Sequence, residues 1–261
     1  MPDVTLAKVR LHYRIDGDPD APPLLLSNSL GTALGMWEPQ MAVLSSRFRV
    51  IRYDSRGHGR SEAPRGPYTI DDLGRDALGL LDMLKVERTH FCGLSMGGAV
   101  GLWLGVTAAE RIDRLVVANT GAKIGTTDLW NARIAAVERD GTASIAKAVL
   151  MRWLPPAMIE QPTPIVAELR RTFEATSAQG YAASCAAVRD LDLRRAIHRI
   201  RAPTLVIAGT DDHPAPPEDG RFIAAEIRDA RYVELQAAHL SNIQASSAFT
   251  RAVVDFLNER R

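Results

Sequence analysis

The chain has 261 residues, of which 46% are apolar and 24% are charged, and its formal net charge at pH 7 is +1. These values are typical of a globular protein whose hydrophobic core needs neither disulfides nor a structural metal. A nearly neutral chain without a clustered basic face also argues against nucleic acid as a partner.

The cellular location is indicated by the cysteines and by the first residues. Cys92 and Cys185 lie far apart in the sequence, which is typical of a reduced, cytoplasmic protein. The first 17 residues alternate polar and apolar side chains and lack the apolar run of a signal peptide. No apolar stretch reaches the length of a membrane span. We therefore expect a cytoplasmic protein that does not bind membranes, while assembly into a homo-oligomer stays open.

Short strands alternate with helices along most of the chain. Strands are predicted at 9–15, 24–26, 49–53, 89–92, 115–118, 204–208 and 232–235. Helices are predicted at 71–84, with Thr69 as the N-cap residue, and at 96–109 and 246–258. This alternation predicts an α/β fold with a mostly parallel central sheet that is flanked by helices.

Residues 121–199 interrupt the alternation. They contain no convincing strand but four alanine-rich helical patterns, separated by prolines at positions 155, 156, 162 and 164. A helical block between two strand regions predicts a cap over the carboxyl edge of the sheet, where open α/β sheets bind ligands. The predicted organisation is a core formed by 1–120 and 200–261, with a helical cap at 121–199.

Ser95 is the centre of the pentapeptide Gly93-Leu94-Ser95-Met96-Gly97. The G-x-S-x-G pattern is weak alone, but here a predicted strand enters it and a predicted helix leaves it, as a nucleophile elbow requires. The Met96 amide would lie at the helix N-terminus, where it can bind a developing oxyanion. We predict Ser95 as the nucleophile and Met96 as an oxyanion donor. The alternative is a glycine-rich turn that only packs tightly.

A serine nucleophile needs a base and an acid that orients the base. Among the six histidines, only His239 follows the last predicted strand, the place of the base in the chain order Ser, acid, His. Asp211 and Asp212 both follow the strand at 204–208. The spacing favours Asp212 as the acid. Asp211 is expected to cap the turn, and it could partly replace Asp212 as the acid. The alternative is that His239 is only a surface residue of its loop.

The loop after the strand at 24–26 should supply the second oxyanion donor. Alignment by the end of the strand favours the Ser29 amide, and Leu30 stays open as its neighbour. Asp54 and Arg56, in the segment DSRGHGRS, are expected to organise a turn beside this loop and not to act in catalysis. Cys and His residues do not have zinc spacing, and a glycine-rich phosphate loop is missing, so we expect no metal and no cofactor.

Four segments resemble the α/β-hydrolase superfamily over essentially the whole chain: GLSMGG, DSRGHGRS, PTLVIAGTDD and AAHLSN. Most members begin the oxyanion loop with His-Gly, whereas this chain has Ser27-Asn28. The segments SNSLGT, WNARI and AAHLSNI resemble the 3-oxoadipate enol-lactonases of the β-ketoadipate branch of aromatic catabolism. The resemblance implies a serine hydrolase that opens a small acidic enol-lactone through the triad Ser95, His239 and Asp212 and an acyl-enzyme.

The substrate that this resemblance implies carries a free carboxylate, so its pocket should contain a fixed cation. Arg133 is the predicted anchor, and Trp130, one helical turn away, is predicted to line the pocket. The alternatives are a surface arginine and a tryptophan that fastens the cap. A promiscuous carboxylesterase, a cofactor-free perhydrolase and a ligand receptor without turnover are the competing functions.

Overall fold

Eight strands form one sheet in the computed structural model, which describes residues 2–259. The strands are β1 (Asp3–Thr5), β2 (Arg10–Asp16), β3 (Pro23–Ser27), β4 (Arg49–Tyr53), β5 (Thr89–Leu94), β6 (Ile112–Ala118), β7 (Thr204–Gly209) and β8 (Arg231–Leu235). Their order is β1-β2-β4-β3-β5-β6-β7-β8. Only the pairs β1–β2 and β2–β4 are antiparallel among these strands of residues 2–259. The predicted mostly parallel α/β sheet is confirmed.

The central strands are continuous apolar runs because both of their faces are covered. Every residue of β5 and of β7 is buried. The parallel register pairs Ser27 with Gly93, Leu94 with Ala118, and Ala118 with Ile207. The carboxyl ends of four strands, β3, β5, β6 and β7, therefore meet at one edge of the sheet.

Six helices belong to the core that surrounds the sheet within residues 2–259. They are α1 (Glu38–Leu44), α2 (Ile70–Met83), α3 (Met96–Thr107), α9 (Pro217–Glu226), α10 (Ser241–Gln244) and α11 (Ser246–Leu257). The predicted N-cap of α2 is present: Thr69 Oγ1 accepts from the Asp72 amide, and the Asp72 carboxylate accepts from the Thr69 amide. The strand β1 and the helices α1 and α9 were not predicted; β1 and α1, with three and seven residues, are too short to show a clear period.

Five helices lie between β6 and β7 in the chain. They are α4 (Thr127–Asp140), α5 (Ala146–Trp153), α6 (Pro156–Glu160), α7 (Pro164–Ala175) and α8 (Ala178–Asp190). Edge-to-face contacts join Trp153 to Phe173 and Phe173 to Tyr181, with ring centroids 5.5 and 5.2 Å apart. The Leu240 amide donates to the Trp153 carbonyl at 3.0 Å, so these helices contact the loop that follows β8. None of the helices in residues 2–259 has the length and apolarity that crossing a membrane requires.

Candidate active site

Ser95 lies in a tight turn between β5 and α3. Its backbone has φ 58° and ψ −116°, a strained conformation for a residue with a side chain. A Cβ on Gly93 would lie 2.1 Å from the Gly97 carbonyl oxygen, and a Cβ on Gly97 would lie 2.1 Å from that of Ser27. The turn therefore requires both glycines of the pentapeptide. The Ser95 amide also donates to the Ala118 carbonyl at 2.8 Å, which fixes the turn to β6.

His239 lies beside this serine, in the loop between β8 and α10. Its Nε2 is 2.9 Å from Ser95 Oγ, within hydrogen-bond distance. Its Nδ1 is 2.9 and 3.0 Å from the two carboxylate oxygens of Asp212, which follows β7. All three residues are more than nine-tenths buried. The structure thus brings together the three side chains predicted for the triad, in the geometry by which a carboxylate orients a base and the base activates a hydroxyl.

Asp212 is held by two further donors. The Asn119 side-chain amide donates to Oδ2 at 2.9 Å, and the Ala215 backbone amide donates to Oδ1 at 3.0 Å. Ser241 Oγ in turn donates to Asn119 Oδ1 at 2.5 Å. Asp211 is exposed, and its carboxylate accepts from the Thr210 hydroxyl at 3.4 Å and not from His239. Sequence reasoning missed Asn119 and Ser241, although a polar residue directly after β6 was a signal for the first.

The loop after β3 contains both amides considered for the second oxyanion donor, those of Ser29 and Leu30. The Ser29 amide donates to Met36 Sδ at 3.3 Å, so it is already engaged inside the loop after β3. The next amide but one, that of Gly31, donates to His58 Nε2 at 2.9 Å. Between them, the Leu30 amide has no acceptor among residues 2–259. The unengaged Leu30 amide therefore favours Leu30 over Ser29 as the candidate for the second oxyanion donor, and the role itself stays a prediction.

The Met96 amide is the other predicted donor. It lies at the first position of α3, where helix amides have no partner inside the helix. Within the described part of the chain it has no acceptor. The positive end of the helix dipole is at the same place, so a negative oxygen beside Ser95 would be stabilised there.

The turn after β4 supports the loop that carries Leu30. Asp54 accepts from the Leu34 amide and from the Arg60 amide, both at 2.8 Å. Burial lowers the pKa of His58 to about 4, so its ring is neutral and can accept from the loop. Asp54 and His58 therefore position the loop and do not reach the triad.

A cavity of about 390 Å³ opens beside Ser95 under the helices between β6 and β7. Both residues predicted for substrate binding, Trp130 and Arg133, line it. The Trp130 indole N–H donates to the Ile124 carbonyl at 2.7 Å, and the Arg133 guanidinium lies 4.8 Å from the indole ring centroid. Trp130 therefore both lines the cavity and fastens α4. Arg152, from α5, lines the same cavity and was missed by sequence reasoning.

The site contains the elements of acyl transfer. Groups of three or more metal-ligating side chains are not found among residues 2–259. What the cavity offers is a hydroxyl paired with an imidazole, two backbone amides and two guanidinium groups. Such an arrangement can attack an acyl carbonyl and stabilise the tetrahedral intermediate that forms.

Comparison with known proteins identifies the family of the chain. A family model described as the alpha/beta hydrolase fold matches residues 22–142. The chain is 43% identical to 3-oxoadipate enol-lactonase 2 of Acinetobacter baylyi over 96% of its length and 94% of that protein. It is 40% identical to 3-oxoadipate enol-lactonase 1 of the same organism, over 95% and 92% of the two chains.

A solved structure has the same fold as this chain. The crystal structure of the enol-lactonase from Burkholderia xenovorans LB400 superposes with a TM-score of 0.97 at 49% identity, covering 99% of this chain and 100% of that one. The chain therefore belongs to the enol-lactonase family of the α/β hydrolases.

Proposed function

We propose that this protein hydrolyses 3-oxoadipate enol-lactone to 3-oxoadipate through Ser95, His239 and Asp212. The observation that carries the proposal is the unbroken hydrogen-bond chain from Ser95 through His239 to Asp212, at the floor of a cavity lined by arginine. The names of the relatives point to the lactone, and the arginines suit its carboxylate. Such a substrate implies a role in the β-ketoadipate pathway of aromatic catabolism.

The first half of the proposed reaction forms an acyl-enzyme. His239 takes the proton of Ser95 while Oγ attacks the lactone carbonyl, and the Met96 and Leu30 amides stabilise the oxyanion. Asp212 holds the imidazole in the correct tautomer and stabilises its positive charge. The intermediate then collapses, the bond from the carbonyl carbon to the ring oxygen breaks, and His239 returns its proton to that oxygen. The released enol tautomerises to the ketone.

The second half releases the product. Water, deprotonated by His239, attacks the ester of Ser95, and the same two amides stabilise the second tetrahedral intermediate. Its collapse returns the proton to Ser95 and frees the second carboxylate. An enol is a better leaving group than an ordinary alcohol, so proton transfer by His239 has less to do in the first half than in the second.

The proposal is tested by following the ultraviolet absorbance of the enol-lactone with wild type and Ser95→Ala. We expect turnover by the wild type and a loss of about 10⁶-fold in kcat for the variant, as for other serine hydrolases. Full activity in Ser95→Ala would overturn the mechanism. A faster reaction with a neutral ester than with the lactone would favour a carboxylesterase, and release of a single product per protein would favour a receptor. Cytoplasmic location and oligomeric state stay predictions.

A further inference from the structure

Two arginines line the active-site cavity from different helices. Arg133 lies on α4 and Arg152 on α5, and both contribute to the wall. The other ionisable side chains of the wall within residues 2–259 are Tyr181, His213 and His239, and none is a carboxylate. The wall therefore carries two positive charges that no acidic side chain of the wall offsets.

Neither arginine has a carboxylate within ion-pair distance in the part of the chain that the structure describes. Five other arginines of residues 121–199 do have such a partner. Those pairs are Arg139–Asp140, Arg170–Glu174, Arg171–Glu168, Arg189–Asp190 and Arg194–Asp192. Arg139, on the same helix as Arg133, is thus neutralised by a neighbouring carboxylate, whereas Arg133 and Arg152 are not.

The two guanidinium groups also influence each other. Burial, and then the charge of Arg133, lowers the pKa of Arg152. Two like charges at one cavity disfavour each other until an anion lies between them. Arg133 is held in place by its contact with the Trp130 ring, 4.8 Å from the centroid. The cavity therefore presents a preorganised positive site, which reduces the cost of ordering side chains when an anion binds.

We propose that Arg133 and Arg152 together bind the carboxylate of the substrate, and that Arg152 is a specificity-determining residue for acidic over neutral lactones. This inference rests on the proposed function and adds a second anchor from a second helix. Each oxygen of a carboxylate can accept more than one hydrogen bond, so two guanidinium forks can share it. Arg152 is the more exposed of the two guanidinium groups, so water as well as the substrate has access to it.

The inference is tested with two enol-lactones that differ only in the carboxylate. One is 3-oxoadipate enol-lactone, and the other carries a methyl group in place of the carboxymethyl group. We expect Arg152→Gln to lower kcat/KM for the acidic lactone about tenfold, mainly through KM, because a hydrogen bond to a charged group is lost. The rate with the neutral lactone should change less than about twofold. Arg152→Lys, which keeps the charge, should recover part of the loss.

Lys147→Gln is the matched control, because Lys147 is an exposed cation of the same helix that does not line the cavity. Equal losses on both lactones, or no loss on either, would overturn the inference for Arg152. Binding gives a readout without turnover: adipate, a six-carbon dicarboxylate, should raise the Tm of the wild type and of Lys147→Gln more than that of Arg152→Gln. An equal rise in all three would contradict the shared carboxylate site. A wild type that binds adipate in this way but leaves both lactones intact would refute the proposed function instead.

Discussion

Asp219, in the first turn of α9, is a half-buried carboxylate without a compensating cation. Burial, then the charge of Asp212, then that of Glu218, raises the pKa of Asp219 from 3.8 to about 6. Among residues 2–259 it forms no ion pair. We therefore expect Asp219→Asn to stabilise the fold at neutral pH, because the charge that burial disfavours is removed while the shape is kept.

The size of this effect follows from linkage between protonation and folding. A difference of about 2 in pKa between the folded and unfolded states corresponds to about 3 kcal/mol. Because the Asp219 side chain keeps part of its surface in water, we expect about 1–2 kcal/mol. The raised pKa means that the folded state binds the proton more tightly than the unfolded state. The wild type therefore loses stability as pH rises from about 4 to about 6, and Asp219→Asn does not.

Urea unfolding of both proteins at pH 5, 6, 7 and 8 measures the difference. The advantage of Asp219→Asn should grow from pH 5 to pH 7 and then stay constant, with unchanged m-values. Asp211→Asn is the matched control, since Asp211 is an exposed carboxylate in the preceding loop and should show no such dependence. An advantage that is the same at pH 5 and pH 8, or a loss of stability in Asp219→Asn at pH 8, would refute the reasoning.

Three substitutions, at the proposed triad acid and beside it, should have different effects on kcat. Asp212→Asn should lower kcat about 10⁴-fold, as expected when a triad loses its carboxylate. The kcat of Asp211→Asn should stay near that of the wild type, and similar losses in both variants would show that Asp211 can take the place of Asp212. Asn119→Ala removes a donor to Asp212 and should lower kcat about tenfold with little change in KM. A change in Tm alone, with unchanged kinetics, would assign Asn119 a structural role only.

The nucleophile turn was predictable because its requirements are local. A strand, a serine between glycines and a helix occupy consecutive residues, and the backbone conformation of Ser95 follows from that arrangement. Asp212 and His239 were accessible because each follows a strand in a fixed order along the chain. Parallel pairing then places those strand ends at one edge of the sheet.

The sequence alone could not decide between the Ser29 and Leu30 amides as the second oxyanion donor. Ser29 and Leu30 are neighbours, and the direction of each amide depends on partners that lie elsewhere in the chain. The Met36 sulfur engages the first, and His58, 27 residues away from Gly31, engages the amide that follows the second. A linear alignment of the loop to the end of β3 contains no information on these acceptors. The choice between the two amides therefore needed the folded loop.

The sequence also could not show that Arg152 lines the cavity. Its segment was predicted to be helical, but a helix pattern does not state which neighbour each face meets. Arg152 reaches the cavity because α5 ends at Trp153, whose carbonyl accepts from the Leu240 amide directly after His239. That contact brings the end of α5 to the loop of the base. Whether an arginine at the end of α5 faces the cavity or the solvent thus depends on the contact between Trp153 and Leu240, which lie 87 residues apart in the chain.

In the proposed function, the triad and the side chains that select the substrate come from different parts of the chain. Each triad residue lies on a core loop after a parallel strand, and Asn119, the first residue after β6, orients the acid from the same edge. The arginines and Trp130 come from the continuous insertion between β6 and β7. Because the hydrogen bonds of Asp212 involve only core residues, side chains on α4 and α5 can change without altering how Ser95 is activated. In this proposal, a preference for an acidic lactone depends on a small number of side chains from α4 and α5, while hydrolysis of the acyl bond depends on residues at the edge of the sheet.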